Sequence, residues 1–175
     1  MTPIITLDTV ARCLEKIGWK YKQKPSVIST KVGLARSSIS LPIPIECEVN
    51  DHWVTIRAIV CQNVREDCMA NLCILLADIN SRCYQSRFFC LGGAVGLQSE
   101  VPKANWNTVR FLNALSATFY YSTTWAETIH AMGTSPLLGS VYASTVNLNS
   151  VSQRDEVLEE EEDFEFSANQ MPIMI

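Results

Sequence analysis

Apolar residues in the first part of the chain recur at spacings of three and four: Leu7, Val10, Leu14 and Ile17. That period is one face of an α-helix. It predicts an amphipathic helix that opens at Thr6 or Asp8, either of which can cap it, and stops at Gly18. The period then falls to two. Ser26–Val32 is short and rich in β-branched residues, and Ser38–Val49 puts Ile39, Leu41, Ile43, Ile45, Cys47 and Val49 on one face, opposite Pro42 and Pro44. Proline cannot donate to a ladder, so this strand is expected at a sheet edge or irregular near its prolines. Asn50-Asp51 is a turn pair, and His52–Val60 returns as a third strand with Val54, Ile56 and Ala58 on its buried side.

Helical spacing resumes over Glu66–Cys83 through Met69, Leu72, Cys73, Leu76 and Ile79. Two apolar-rich runs follow, Arg87–Cys90 and Ala94–Leu97, on either side of Gly92-Gly93. That dipeptide tolerates the positive φ of a tight hairpin. Pro102 closes the second strand, and Asn105 is a candidate N-cap for a long helix through Val109, Leu112, Leu115 and Phe119 to Ile129, stopping at Gly133. The order is α-β-β-β-α-β-β-α, an α+β domain over residues 1–133. Beyond it, residues 134–175 are rich in Ser, Thr and Asn and then in acids, and are expected as a low-complexity, disordered tail with too little apolar surface to offset ordering entropy. Phe164 and Phe166 stand inside the acidic tract, as in segments that order on a partner.

Composition adds class and compartment. Apolar residues make up 47% of the 175 and charged residues 18%, the proportions of a globular protein. No apolar run approaches the roughly 18 residues that span a bilayer, and the N-terminus lacks the basic start of a leader, so a cytoplasmic protein is expected. Seven cysteines without a C-x-x-C pair read as reduced, buried thiols. The net charge of −4 divides unevenly. Val151–Ile175 carries eight acids against Arg154 alone, net −7, and the rest is +3. Lys16, Lys20, Lys22 and Lys24 cluster around the end of the first helix, either as a solvated face or as a docking patch for an acidic partner, the tail included.

Specific chemistry finds little support. The cysteines and the two histidines, His52 and His130, lack the paired spacing of a zinc site, and the acidic tract lacks the glycine-centred loop of a calcium site. No phosphate-binding loop is present, and Gly92–Gly96 does not lead into a helix. Glu46 and Glu48 lie on one side of a strand, as two solvated acids would. No catalytic, cofactor or metal residue is assigned. A charge of +3 over 150 residues without basic-aromatic interleaving argues against nucleic acid.

One resemblance emerges from the element order and four local features: Asn80 ending the second helix, Arg87-Phe88 opening a strand, Val95 to Leu97 leading into Glu100-Val101-Pro102, and Phe119-Tyr120-Tyr121 in the long helix. Together they resemble the type III secretion chaperone-like fold in its YbjN-like branch, and the organisation is similar to cyanobacterial and plastid relatives of that fold. The resemblance covers Thr6 to Met132. The chain departs from the pattern with Gly92-Gly93 in place of an acidic turn and with its acidic tail. The resemblance implies helices packed on one face of a five-stranded antiparallel sheet, a homodimer in many members, and a role in holding or escorting other proteins without a catalytic set. The leading reading is a non-enzymatic protein-binding domain, a chaperone or assembly adaptor. Its client surface is read at Trp19, Ile39, Leu41, Ile43, Tyr120, Tyr121 and Trp125, with ordinary core packing as the alternative. The second reading is autoregulation, in which the tail masks the lysines until an acidic partner or nucleic acid displaces it. An enzyme would require a pocket setting His52 or His130 against a cysteine.

Overall fold

Local signals set the ends of the first helix. In the computed structural model, which describes residues 4–32 and 42–142, α1 runs Leu7–Lys16 behind Thr6, whose extended backbone N–H donates to Thr9 Oγ1 at 3.4 Å. Gly18 adopts φ +72°, and the N–H groups of Trp19 and Gly18 donate to the carbonyls of Leu14 and Glu15, each at 3.0 Å. This is the left-handed glycine stop expected there. Ile17 lies past the last turn and is exposed, so it does not complete the apolar stripe.

Six strands form one antiparallel sheet: β1 (Lys22–Gln23), β2 (Val27–Val32), β3 (Ile43–Val49), β4 (Trp53–Cys61), β5 (Ser86–Leu91) and β6 (Ala94–Pro102), in the spatial order β1-β2-β3-β4-β6-β5. The strand beyond the five expected is β1, two residues long and too short for alternation to reveal. β3 is interior, between β2 and β4, not at an edge. Pro44 is accommodated because pairing with β4 begins only at Ile45. Residues 33–41, with Ile39 and Leu41, lie outside the described residues. Gly92 and Gly93 turn the β5–β6 hairpin with φ +58° and +73°, the two positive values such a turn requires.

A short 3₁₀ turn, Glu66–Cys68, leads into α2 (Met69–Arg82). Leu72, Leu75, Leu76 and Ile79 are buried, whereas Cys73, expected on the apolar stripe, is exposed. α3 (Thr108–Thr134) starts two residues later than the Asn105 expectation: Asn107 is the cap, its Oδ1 accepting the Val109 N–H at 2.8 Å. Gly133 does not stop α3. It is buried within the last turn, where a Cβ would stand 3.4 Å from Val64 Cγ2. Residues 136–142 are helical again and pack on α2, with Gly139 against Asn71 and the Tyr142 hydroxyl donating to Asp78 Oδ2 at 2.9 Å. The compact unit Met1–Ala143 thus extends past the expected boundary at Gly133.

All three helices bury the same side of the sheet. Ile28, Ile45, Ile56 and Leu97 meet Leu14 of α1, Ile79 of α2 and Phe111, Leu115 and Ile129 of α3 in one core. The opposite side carries a polar cluster, with Trp53 and Leu91 exposed beyond it. Arg57 bridges Glu48 at 3.3 Å and Gln98 at 2.8 Å, and Gln98 reaches Glu100 at 2.8 Å. Half-solvated antiparallel sheets show this inside-outside alternation.

Candidate protein-binding surface

A chain of buried hydroxyls seats α3. Ser86, Ser99 and Thr118 are almost wholly buried, linked at 2.7 Å and 2.7 Å, and Thr118 Oγ1 donates to the Ala114 carbonyl at 2.9 Å. With Thr118 inward and each residue turning about 100° around the axis, the next residues, Phe119 and Tyr120, swing toward solvent.

There they join other aromatics. The Phe119 ring meets Trp19 edge-on at 6.0 Å, and Tyr120 meets Tyr121 edge-on at 5.3 Å. Tyr121 Oη accepts the Tyr84 N–H at 3.1 Å. Trp19, Phe119, Tyr120, Tyr121 and Tyr84 therefore form a row across α3, from the end of α1 to the link between α2 and β5. Tyr84 is 73% exposed, Tyr120 60% and Phe119 36%. Trp19 and Tyr121 are half-buried and anchor the row on the core. Rings fixed at one edge and open at the other offer apolar area at little entropic cost, which is why Tyr and Trp are enriched in interfaces.

The expected client residues separate under this geometry. Tyr120 and Tyr121 belong to the row, with Trp19 at one end. Trp125 is half-buried against the core. Ile43 is 4% exposed, a core residue, because its face of β3 is the one the helices cover. Tyr84 and Phe119 complete the row without having been assigned to it. The signal for Phe119 was present: three consecutive aromatics on a helix cannot all face inward. Tyr84 carried none, being placed by the fold alone.

Lys16, Lys20, Lys22 and Lys24 are all exposed around the α1–β1 corner, on either side of Trp19 in sequence. Two acids share this corner, but neutral donors engage them: Tyr21 donates to Glu15 at 2.7 Å and Gln23 to Asp8 at 3.1 Å. The hydrogen bond to Glu15 holds the Tyr21 hydroxyl above its ordinary pKa. Phe164 and Phe166 lie outside the described residues.

Two further features bear on chemistry and pairing. A cleft of about 410 Å³ is lined by residues that include Lys31, Ile59, Cys61, Asn63 and His130, which brings a histidine and a cysteine to the same cleft. The Cys61 thiol donates to the Gln62 carbonyl at 3.6 Å, and burial, reinforced by Cys90, raises its pKa. A nucleophilic thiolate needs the opposite shift. His52 lies in the β3–β4 turn, where Asn50 Oδ1 accepts its N–H at 3.1 Å. At the free edge of β5, Asn80 acts as a substitute strand: its amide donates to the Phe88 carbonyl at 3.0 Å and accepts the Phe88 N–H at 2.7 Å. Arg87 covers the Ser86 carbonyl at 2.7 Å. These side chains close an edge that would otherwise offer itself for strand addition.

No family model matches the sequence, and no curated protein matches it. Among the described residues no helix is long and apolar enough to cross a membrane. Solved structures do resemble it. The ExsC–ExsE complex aligns at 13% identity and TM-score 0.49, over 70% of this chain and 95% of that one. YbjN from E. coli, described as a candidate transcription regulator, aligns at 11% identity and TM-score 0.54, over 71% of this chain and 90% of that one. The chain has a YbjN-like α+β fold: one antiparallel sheet with its helices on a single face.

Proposed function

We propose that the protein is a non-enzymatic protein-binding adaptor or chaperone that takes up its client across the helical face. The observation that carries this reading is the set of partly solvated aromatics on and beside α3, Phe119, Tyr120 and Tyr121 with Trp19 at one end and Tyr84 at the other. The opposite face of the sheet satisfies its polar groups internally through Glu48, Arg57, Gln98 and Glu100. The client is an extended or helical segment bearing apolar anchors, the kind of ligand that an aromatic-lined surface accepts.

Site-specific photocrosslinking tests it. A photoreactive phenylalanine at position 120 should yield discrete adducts with another protein in native extract, and these should fade when Tyr84→Ala is added. The same probe at exposed Glu100, on the polar sheet face, is the control. Equal labelling from both positions, or none from position 120, defeats the reading. Adducts with a second copy alone would make the row a homodimer surface instead.

A further inference from the structure

Three sulfur-bearing side chains meet where α2 packs on β5. Successive residues turn about 100° around a helix axis, so Met69, Cys73 and Asn80 fall within about 40° of one another on α2. Both outer members of that strip reach β5. Asn80 pairs with the carbonyl and the N–H of Phe88, and Met69 Sδ accepts the Cys90 thiol at 3.3 Å. Phe88 and Cys90 are two apart on the strand and point to the same side. Cys73 therefore stands between the two contacts, one turn on from Met69, a spacing that sets Cβ atoms about 5–6 Å apart. Its thiol is close enough to add to the burial that raises the Cys90 pKa. Cys73 is exposed and Cys90 half-buried, so the group opens to solvent, whereas Cys13, Cys47, Cys61, Cys68 and Cys83 are buried.

We infer that Met69, Cys73 and Cys90 form a binding site for a soft monovalent metal ion, copper(I). The donor set selects the ion. Thiolate and thioether sulfur favour copper(I), whereas structural zinc takes four ligands, mostly from Cys and His, and calcium and magnesium take oxygen. Among the described residues no three His, Cys, Asp or Glu side chains group to hold a metal, so the thioether is what completes this set. The nearby Asp67 carboxylate is engaged by Arg65 at 2.9 and 2.7 Å. On binding, each thiol yields its proton to solvent and its sulfur to the metal. The ion then ties α2 to β5 and stabilises the folded chain by mass action. The site lies apart from the aromatic row and does not depend on the adaptor reading.

Anaerobic titration of the reduced full-length protein with copper(I), in competition with the chelator bicinchoninate, tests the inference. One ion per chain should bind, with thiolate-to-copper charge-transfer absorption in the ultraviolet and an X-ray absorption spectrum showing three sulfur neighbours. Cys73→Ser, at an exposed position where folding is not at stake, should lose the ion at a chelator concentration that leaves the unaltered protein loaded. Cys90→Ser should do the same. Met69→Leu conserves volume and should lower the sulfur count from three to two. Cys13→Ala, on α1, should retain the ion. Equal retention by Cys73→Ser overturns the inference, as does a coordination shell in which nitrogen or oxygen replaces the third sulfur. One ion per two chains also overturns it, because an exposed Cys73 would then be bridging copies.

Discussion

Removing the Thr118 hydroxyl from the seat of α3 should strand a second, buried one. Thr118 is fully buried and its single proton goes to the Ala114 carbonyl. A hydroxyl has one proton to give, so Ser99 must donate to Thr118 and Ser86 to Ser99, which orients the whole chain. Thr118→Val preserves side-chain shape and removes the terminal acceptor. The two serines can then reverse direction, but whichever way they turn, one O–H is left without an acceptor where Ser86 is 1% and Ser99 2% exposed. An unsatisfied buried polar group costs about 1–3 kcal/mol, about a five- to 150-fold loss in the folding constant. Ser86→Ala removes only the first donor and should cost less, about 0.5–1.5 kcal/mol. The triple variant Ser86→Ala/Ser99→Ala/Thr118→Val leaves no hydroxyl stranded. Its loss should therefore fall well short of the summed single losses, as expected for a network whose members depend on one another. Urea unfolding of Ser86→Ala, Ser99→Ala, Thr118→Val and the triple variant, with m unchanged between them, measures this directly. A Thr118→Val loss under about 0.5 kcal/mol, or a triple variant that equals the sum of the singles, would refute the reasoning.

Three other expectations follow from separate parts of the fold. Gly96→Ala places a Cβ inside the Phe89 ring, 2.8 Å from Cε1, and should cost about 1–3 kcal/mol. The same substitution in a Phe89→Ala background should cost much less, and equal losses in both would count against the cross-strand contact. Asn80→Ala strips both bonds from the Phe88 backbone and reopens the β5 edge. Lower stability with concentration-dependent association by light scattering is expected, whereas an unchanged, monodisperse variant would contradict the edge-closing role. Burial, then the bond to Asp78, pushes the Tyr142 hydroxyl up to about 12, above the ordinary value of 10.0. A raised folded-state value favours the neutral phenol, so this contribution is fully present below pH 10 and lost as pH rises toward 12. Tyr142→Phe should abolish that alkaline loss in stability measured against pH, and an identical profile for both proteins would dismiss it.

Much of the secondary structure was legible locally because local chemistry decides it. The Leu7, Val10 and Leu14 spacing, the Gly18 stop and the Gly92-Gly93 turn each depend on backbone geometry within a few residues, and each is found where the pattern places it. Likewise the alternation of β3 and β4 separates Ile45, Cys47, Val54 and Ile56 from Glu46 and Arg57 whatever the strand order. Tertiary structure decided what lies between elements. Pro44 suggested a strand at an edge or irregular near its prolines, and only the tertiary structure decides between them: the strand is interior, with Pro44 at its start before pairing with β4 begins. Gly133 reads as a stop from its neighbours in sequence, yet α3 runs through it to Thr134 and buries it beside Val64, Cys61 and Leu72. Ile43 and Tyr120 are both large apolar-bodied residues in periodic segments, yet one is core and the other surface. That difference is set by which side of the sheet the helices cover and by how the hydroxyl chain rotates α3. Composition and spacing determine which residues can bury or bind, while burial itself is a property of partners distant in sequence, as Trp19 beside Phe119 and Tyr84 beside Tyr121 demonstrate.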